Sequence, residues 1–205
     1  MGIDSASIYG RWHYVPFKAT PERVSAFSDG VFAILITVLV LELRPPEQPT
    51  FKALGQLWPT WISYAVSYLF IATVWSNHHY LLRYASEATP RLLWFNFGHL
   101  FSMSLLPFST AWMAVSKLAP QPVAFYAAVF FLVNATYLLL IWELIDAGEQ
   151  VPPRVRKVMY FRSITTLCSF AIAALVALRY PLIGLGICIA CLVVYLRPEP
   201  HGATD

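Results

Sequence analysis

Seven polar or ionisable residues interrupt long apolar stretches in the first half of this sequence. Side chains of these types cost free energy inside a membrane, so they must face protein or water and find partners there. Asn96 and His99 are three residues apart, so they share one face of a predicted helix. The seven residues are Arg23, Ser28, Asp29, His78, His79, Asn96 and His99.

Three kinds of chemistry compete for the histidines. A metal or haem site needs histidines that converge on one centre, but His78 and His79 diverge by about 100° on a helix and no two histidines have HxxxH spacing. A hydrogen-bonded Asp, Ser, His and Asn cluster that locks three helices together is the simpler interpretation. A regulatory role is the third, because histidine changes its charge near neutral pH. The pattern favours a structural polar network, and it predicts no metal and no bound cofactor.

The composition indicates that these residues belong to a membrane protein. Of the 205 residues, 58% are hydrophobic and 12% are charged, whereas a soluble domain carries about 25% charged residues. A helix needs about 20 mostly apolar residues to cross a hydrocarbon core about 30 Å thick. The segments that meet or approach this length are 24–43, 57–80, 92–115, 121–142, 160–178 and 181–196. We therefore predict an all-α membrane protein with six transmembrane helices per subunit, in which residues 1–205 form one domain and no soluble domain is present.

The basic residues predict the orientation of the chain. Six spans place both termini on one side of the membrane, and that side carries ten of the 14 Lys and Arg residues: Arg11, Lys18, Arg23, Arg83, Arg91, Arg154, Arg156, Lys157, Arg162 and Arg197. The other side carries Arg44, Lys52, Lys117 and Arg179. We therefore predict that the N- and C-termini are cytoplasmic. The net charge of +3 follows from this asymmetry and requires no nucleic-acid partner.

The first predicted helix has two unlike faces. One face carries a mainly aliphatic stripe, and the polar residues Ser28 and Asp29 point largely away from it. With residues about 100° apart on a helical wheel, the members of this stripe lie within about 60° of Ile34; they are Gly30, Ile34, Thr37, Val38 and Leu41. Spacing alone does not separate a pore-lining stripe from a face that packs against lipid or other helices, so both interpretations stay open here.

Three short stretches resemble a known family. Residues 23–29 read RVSAFSD, which resembles the RxxxFSD signature of the transmembrane protein 175 family of potassium channels, found in lysosomes and in prokaryotes. Residues 75–79, WSNHH, resemble the W..HH pattern of that family's second helix. Trp94, Asn96 and Pro107 are similar to its third helix. The resemblance covers roughly residues 20–110.

The resemblance implies a potassium-selective cation channel in which four subunits, a homotetramer, surround a central pore lined by the first helices. It implies a constriction of bulky aliphatic side chains, with Ile34 at the narrowest point and Val38 and Leu41 further out. Val38 departs from the family pattern, where a larger leucine is expected. Thr37 would offer a hydroxyl to a passing K⁺ ion. The family's Arg, Ser and Asp correspond to Arg23, Ser28 and Asp29, which would tie the pore helix to His78, His79 and Asn96.

Two other functions fit part of the pattern. A proton-linked membrane transporter would use Asp29 together with His78 or His79 as a proton relay. An intramembrane enzyme is less favoured, because the sequence has no nucleophile–base pair, phosphate-binding loop or cofactor motif. We therefore predict a potassium channel in a lipid bilayer, not an enzyme, with proton-linked transport as the alternative. The short, single-repeat length favours a prokaryotic cell membrane.

Overall fold

The computed structural model describes residues 20–146 and 151–195, and the regular secondary structure of these two ranges is helical. The helices, in chain order, are α1 (Pro21–Leu41), α2 (Phe51–Gln56), α3 (Trp58–Leu82), α4 (Pro90–Ser104), α5 (Leu106–Val115), α6 (Pro120–Asp146), α7 (Pro153–Ala177) and α8 (Pro181–Tyr195). The prediction of an all-α protein is confirmed.

Proline determines where most of these helices begin. A proline ring holds φ at a helical value, and the N–H that it lacks would have no partner in the first turn of a helix. α4 has an additional cap, because the backbone N–H of Leu92 donates to the Thr89 hydroxyl at 3.0 Å. The helices that start with proline are α1, α4, α6, α7 and α8.

The observed helices differ from the predicted segments at two places in particular. The segment 92–115 is divided at Leu105 into α4 and α5, because Pro107 has no N–H to donate and its ring clashes with the carbonyl one turn earlier. The short helix α2 lies between the first two predicted segments. Residue 196, at the end of the last segment, lies outside the described residues, as do Arg11, Lys18 and Arg197.

Three described helices are long and apolar enough to cross a membrane, namely α1, α6 over Pro120–Ile145, and α7. A shorter apolar helix covers Pro181–Val194. α3 has 25 residues, but its Trp, Tyr, Asn and His side chains lower its hydropathy. The division at Leu105 leaves α4 and α5 with 15 and 10 residues, so neither alone is as long as a typical span.

The core of the protein surrounds α6, which packs against α4, α5, α7 and α8. Phe130 of α6 is fully buried. Its ring stacks on Phe70 of α3 at 3.6 Å between centroids, and it meets Phe170 of α7 edge-on at 5.3 Å. These aromatic contacts join the N-terminal helices to the C-terminal helices.

A glycine allows the close approach of α7 and α8. A Cβ atom at Gly184 would lie 2.6 Å from the Cβ of Ala177 and 2.8 Å from the carbonyl oxygen of Ala173. Real side chains do not approach this closely, so only glycine fits at this crossing. Small residues serve this purpose between membrane helices, where close backbone approach provides the packing.

Candidate functional site: the first helix and its polar cluster

One face of α1 anchors the helix to the rest of the chain. Its side chains are buried against α3, α4 and α5. Phe32 is 2% exposed and Leu39 1% exposed. The buried residues of α1 recur every three or four positions, as a helix face requires: Val24, Ser28, Phe32, Leu35 and Leu39.

The opposite face of α1 carries the predicted stripe, and the chain leaves it largely uncovered. Ile34 is 61% exposed, Val38 37% and Leu41 77%. Gly30 and Thr37 on the same face are also exposed. An apolar surface of this extent on a helix is typical of a contact with lipid, with another subunit or with a pore.

Thr37 has a defined hydroxyl orientation on this face. Its Oγ1 donates a hydrogen bond to the carbonyl oxygen of Ile34 at 2.7 Å. Because the hydroxyl proton is used within the helix, the oxygen lone pairs remain available to accept a hydrogen bond or to contact a cation.

Asn96 of α4 connects α1 and α3 through buried hydrogen bonds. Its Nδ2 donates to the Ser28 hydroxyl at 3.0 Å, and its Oδ1 accepts from His78 Nε2 at 2.7 Å. Ser28 in turn donates to the carbonyl oxygen of Val24 at 2.8 Å. An amide oxygen can only accept, so this contact assigns the His78 ring proton to Nε2. Side chains from three different helices, Ser28, His78 and Asn96, therefore meet at an almost fully buried site.

His99 extends this cluster toward α6. Its ring lies parallel to that of His78, with an angle of 5° and a centroid separation of 5.5 Å. Its Nδ1 is 3.1 Å from the hydroxyl of Thr136. In the described part of the chain, two buried nitrogens have no hydrogen-bond partner, the Nδ1 of His78 and the Nε2 of His99. Each ring of the stack therefore has one nitrogen without a hydrogen-bond partner among the described residues.

Asp29 and His79 lie apart from the buried histidine stack. The carboxylate of Asp29 accepts from the indole Nε1 of Trp75 at 2.8 Å. The ring of His79 lies 5.9 Å from that of Trp75, centroid to centroid. Both His79 and Trp75 are exposed, and Asp29 is half-buried. Arg23 is exposed in the first turn of α1. The seven predicted polar residues thus divide into a buried group and a group near the surface of α1 and α3.

The sequence reasoning missed two further polar connections. Ser67 of α3 lies 2.7 Å from the Thr110 hydroxyl and 2.8 Å from that of Tyr126, which links α3, α5 and α6. Arg91 forms a salt bridge with Glu143 at 2.9 Å. Hydroxyls and surface charges are common on helices, so no spacing in the sequence distinguished these residues. Trp75 could have been predicted to belong to the polar group, because it lies one helical turn before His79.

Comparisons with known proteins point to one family of channels. The sequence model of the family described as "Endosomal/lysosomal potassium channel TMEM175" matches residues 23–107. A protein named as a potassium channel from Streptomyces collinus is 34% identical over 141 residues, which are 65% of this chain and 68% of that protein. Another protein named as a potassium channel, from a Chryseobacterium species, is 29% identical over 182 residues, which are 88% of this chain and 94% of that protein.

A solved structure has the same fold. The crystal structure of a lysosomal potassium-selective channel TMEM175 homolog from Chamaesiphon minutus superposes with a TM-score of 0.78, covering 86% of this chain and 96% of that chain at 23% identity. The resemblance predicted from the RxxxFSD stretch is therefore confirmed. The chain belongs to the TMEM175 family, which is a family of ion channels.

Proposed function

We propose that this protein is a potassium-selective cation channel whose pore is lined by the uncovered face of α1. One observation carries the proposal: α1 bears the family signature, packs with one face, and leaves an apolar stripe exposed on the other. α6, at the centre of the core, buries about twice as large a share of its apolar span as α1 does, 56% against 28%. The proteins named as potassium channels support K⁺ as the permeant ion.

The subunit would cross the bilayer six times. The crossings would be α1, α3, α4 continued by α5, α6, α7 and α8, with both termini in the cytoplasm of a prokaryotic cell. Four copies would place their α1 stripes around a common axis. Gly30 supports close approach of the helices there, because a Cβ at this position meets no atom within 4 Å inside one chain. In a tetramer, its lack of a side chain would let neighbouring α1 helices approach closely.

Ile34 would form the constriction in this assembly. Four Ile34 side chains would make an apolar ring that closes the pore by excluding water, with rings of Val38 and Leu41 one and two turns further out. K⁺ is less strongly hydrated than Na⁺, so it loses less hydration free energy on passing a narrow apolar ring. The oxygen of Thr37 would replace part of the lost hydration.

The polar cluster would fix the rotation of the pore helix, α1, about its own axis. Asn96 holds Ser28 of α1 on one side and His78 of α3 on the other, and rotation of α1 would break the hydrogen bond between Ser28 and Asn96. Asp29 and Trp75 would add a second attachment nearer the surface. In this role the residues bind no metal and no cofactor and carry out no catalysis.

Cation flux from proteoliposomes tests this proposal. We expect wild-type protein to release K⁺ faster than Na⁺ under matched gradients. Ile34→Ala widens the proposed ring, so it should raise the flux severalfold and reduce the preference for K⁺. Val40→Ala is the matched control, because Val40 is 44% exposed on the same helix but outside the stripe. Equal effects of the two substitutions would reject Ile34 as the constriction, and absence of flux from folded protein would reject the channel.

Proton-linked transport is a second candidate, in which Asp29 would form a proton relay with His78 or His79, and the unpartnered Nδ1 of His78 supports it. In a transporter, Asp29→Asn should abolish proton-coupled flux. In the channel, the amide oxygen still accepts the Trp75 hydrogen bond, so uncoupled K⁺ flux should persist. Measuring K⁺ flux with and without a pH gradient in this variant separates the two functions.

A further inference from the structure

A groove with basic and aromatic walls lies at the start of α7. It is shallow and largely open, and it is lined by Pro153, Arg156, Lys157, Tyr160 and Phe161. Successive members of this set are alternately three residues and one residue apart, so they occupy one side of the first two turns of α7. The two cationic residues come first, and the two aromatic residues follow one turn deeper.

An apolar strip continues from this groove along α7. Its exposed fractions are 71% at Phe161, 49% at Ile164 and 53% at Ile172, and Cys168 between them is also exposed. The distance from Phe161 to Ile172 is about 16 Å at 1.5 Å per residue, which is about half of a hydrocarbon core 30 Å thick. The strip therefore has the length of one leaflet.

The charge at the head of the strip is of one sign. Within α7 itself, four basic residues lie between 154 and 162 and no Asp or Glu occurs, whereas Asp146 and Glu149 precede the helix in the sequence. Arg154 and Lys157 are exposed, and the structure pairs neither of them with a carboxylate of another described residue. A groove of this kind attracts an anionic group at the level of the lipid headgroups.

We infer that this strip of α7 binds one anionic phospholipid. Its phosphate would lie between Arg156 and Lys157, its glycerol region against Tyr160 and Phe161, and an acyl chain along Ile164, Cys168 and Ile172. The order of basic, aromatic and aliphatic side chains along the helix matches the order of chemical groups along such a lipid. The inference rests on the proposed position of α7 in the bilayer, and it does not depend on ion conduction.

Fluorescence quenching at Cys168 tests the inference. A fluorophore is attached to Cys168 in a Cys191→Ser background, since Cys188 is buried. Two vesicle preparations contain phosphatidylglycerol and phosphatidylcholine in the same proportions and the same amount of brominated lipid. The bromine is on the acyl chains of phosphatidylglycerol in one and of phosphatidylcholine in the other. We expect quenching at least about twofold stronger with brominated phosphatidylglycerol, because basic residues concentrate anionic lipid beside the helix.

Charge variants identify the residues responsible. Arg156→Gln with Lys157→Gln should remove the preference, and so should the single exposed change Lys157→Glu. Arg44→Gln with Lys52→Gln removes the same charge elsewhere and should leave the preference unchanged. Exchanging the two cations, Arg156→Lys with Lys157→Arg, should also preserve it.

Three results would overturn the inference. The first is equal quenching by the two brominated lipids in the wild type. The second is a preference for phosphatidylglycerol that persists in both the neutralising and the charge-reversing variant. The third is an equal loss of this preference in the control with Arg44→Gln and Lys52→Gln. Loss of the preference on adding inorganic phosphate would assign the groove to a free anion instead of a lipid. Each readout is independent of K⁺ flux, so a failure here leaves the proposed channel function intact.

Discussion

One face of α1 is sealed against α3, α4 and α5, whereas the opposite face is largely exposed. Leu39 and Leu41 show the contrast, since they are two residues apart in the same helix and are 1% and 77% exposed. Both are leucines, so hydrophobicity alone does not decide which one enters the core. The sealed face also carries the Ser28 hydrogen bond to Asn96, whereas the exposed face has no hydrogen bond to another helix among the described residues.

Under the proposed function, α1 serves two purposes in one stretch of sequence. The sealed face supplies the free energy that places the helix. The exposed face contributes little to the stability of a single subunit, which leaves it available for contacts with other subunits and with ions. Changes on the sealed face should therefore alter stability, and changes on the exposed face should alter conduction.

The largest expected effect comes from truncating the two leucines separately. Leu39→Ala should lower the free energy of unfolding by about 2–5 kcal/mol, because it leaves a cavity in the core. Leu41→Ala should change it by less than about 0.5 kcal/mol, because the side chain is mostly exposed. Thermal unfolding of the two purified variants in the same detergent measures the difference. Similar midpoints would show that the two faces do not differ in the way the structure indicates.

A smaller effect is expected from the buried cluster. Asn96→Leu leaves the Nε2–H of His78 without a partner, while Ser28 keeps its bond to Val24, and an unsatisfied buried group costs about 1–3 kcal/mol. We expect a lower unfolding midpoint than the wild type. Ser104→Leu on the exposed side of the same helix is the control and should leave the midpoint nearly unchanged. An unchanged midpoint in Asn96→Leu would mean that the cluster does not fix α1.

The smallest effect is expected from the hydroxyl on the exposed face. Thr37→Val keeps the shape of the side chain and removes its oxygen, so the K⁺ over Na⁺ flux ratio should fall modestly. Stability should change by less than about 0.5 kcal/mol, because the position is exposed. Thr37→Ser keeps the hydroxyl and should retain the ratio. Equal ratios in Thr37→Val and Thr37→Ser would remove the hydroxyl from the proposed mechanism.

The helices could be predicted from the sequence because their signals are local. Apolar runs of about 20 residues and prolines at first positions indicate where a helix begins and ends. The division at Leu105 follows from Pro107 in the same way, whereas α2 was missed because six residues are too few for a periodic pattern.

The contacts of the polar residues were harder to predict, because they depend on how distant helices are rotated. The wheel separated Ser28 and Asp29 from the stripe, but it did not indicate that Asn96 would bond to Ser28 while Trp75 bonds to Asp29. The bonds to Asn96 and Trp75 join residues 68 and 46 positions apart. Only the packing of α1 against α3 and α4 determines these partners.

Cysteine accessibility tests most directly whether the exposed face of α1 lines the pore. Ile34→Cys and Leu35→Cys place a thiol at adjacent positions, one on the exposed face and one on the sealed face, and Ag⁺ is a thiol-reactive ion that can enter a cation pore. With the native cysteines present in every sample, we expect Ag⁺ to block K⁺ flux through Ile34→Cys and to leave Leu35→Cys and the wild type similar to each other. Block of Leu35→Cys alone, or equal sensitivity of all three proteins, would contradict the assignment of the pore to this face.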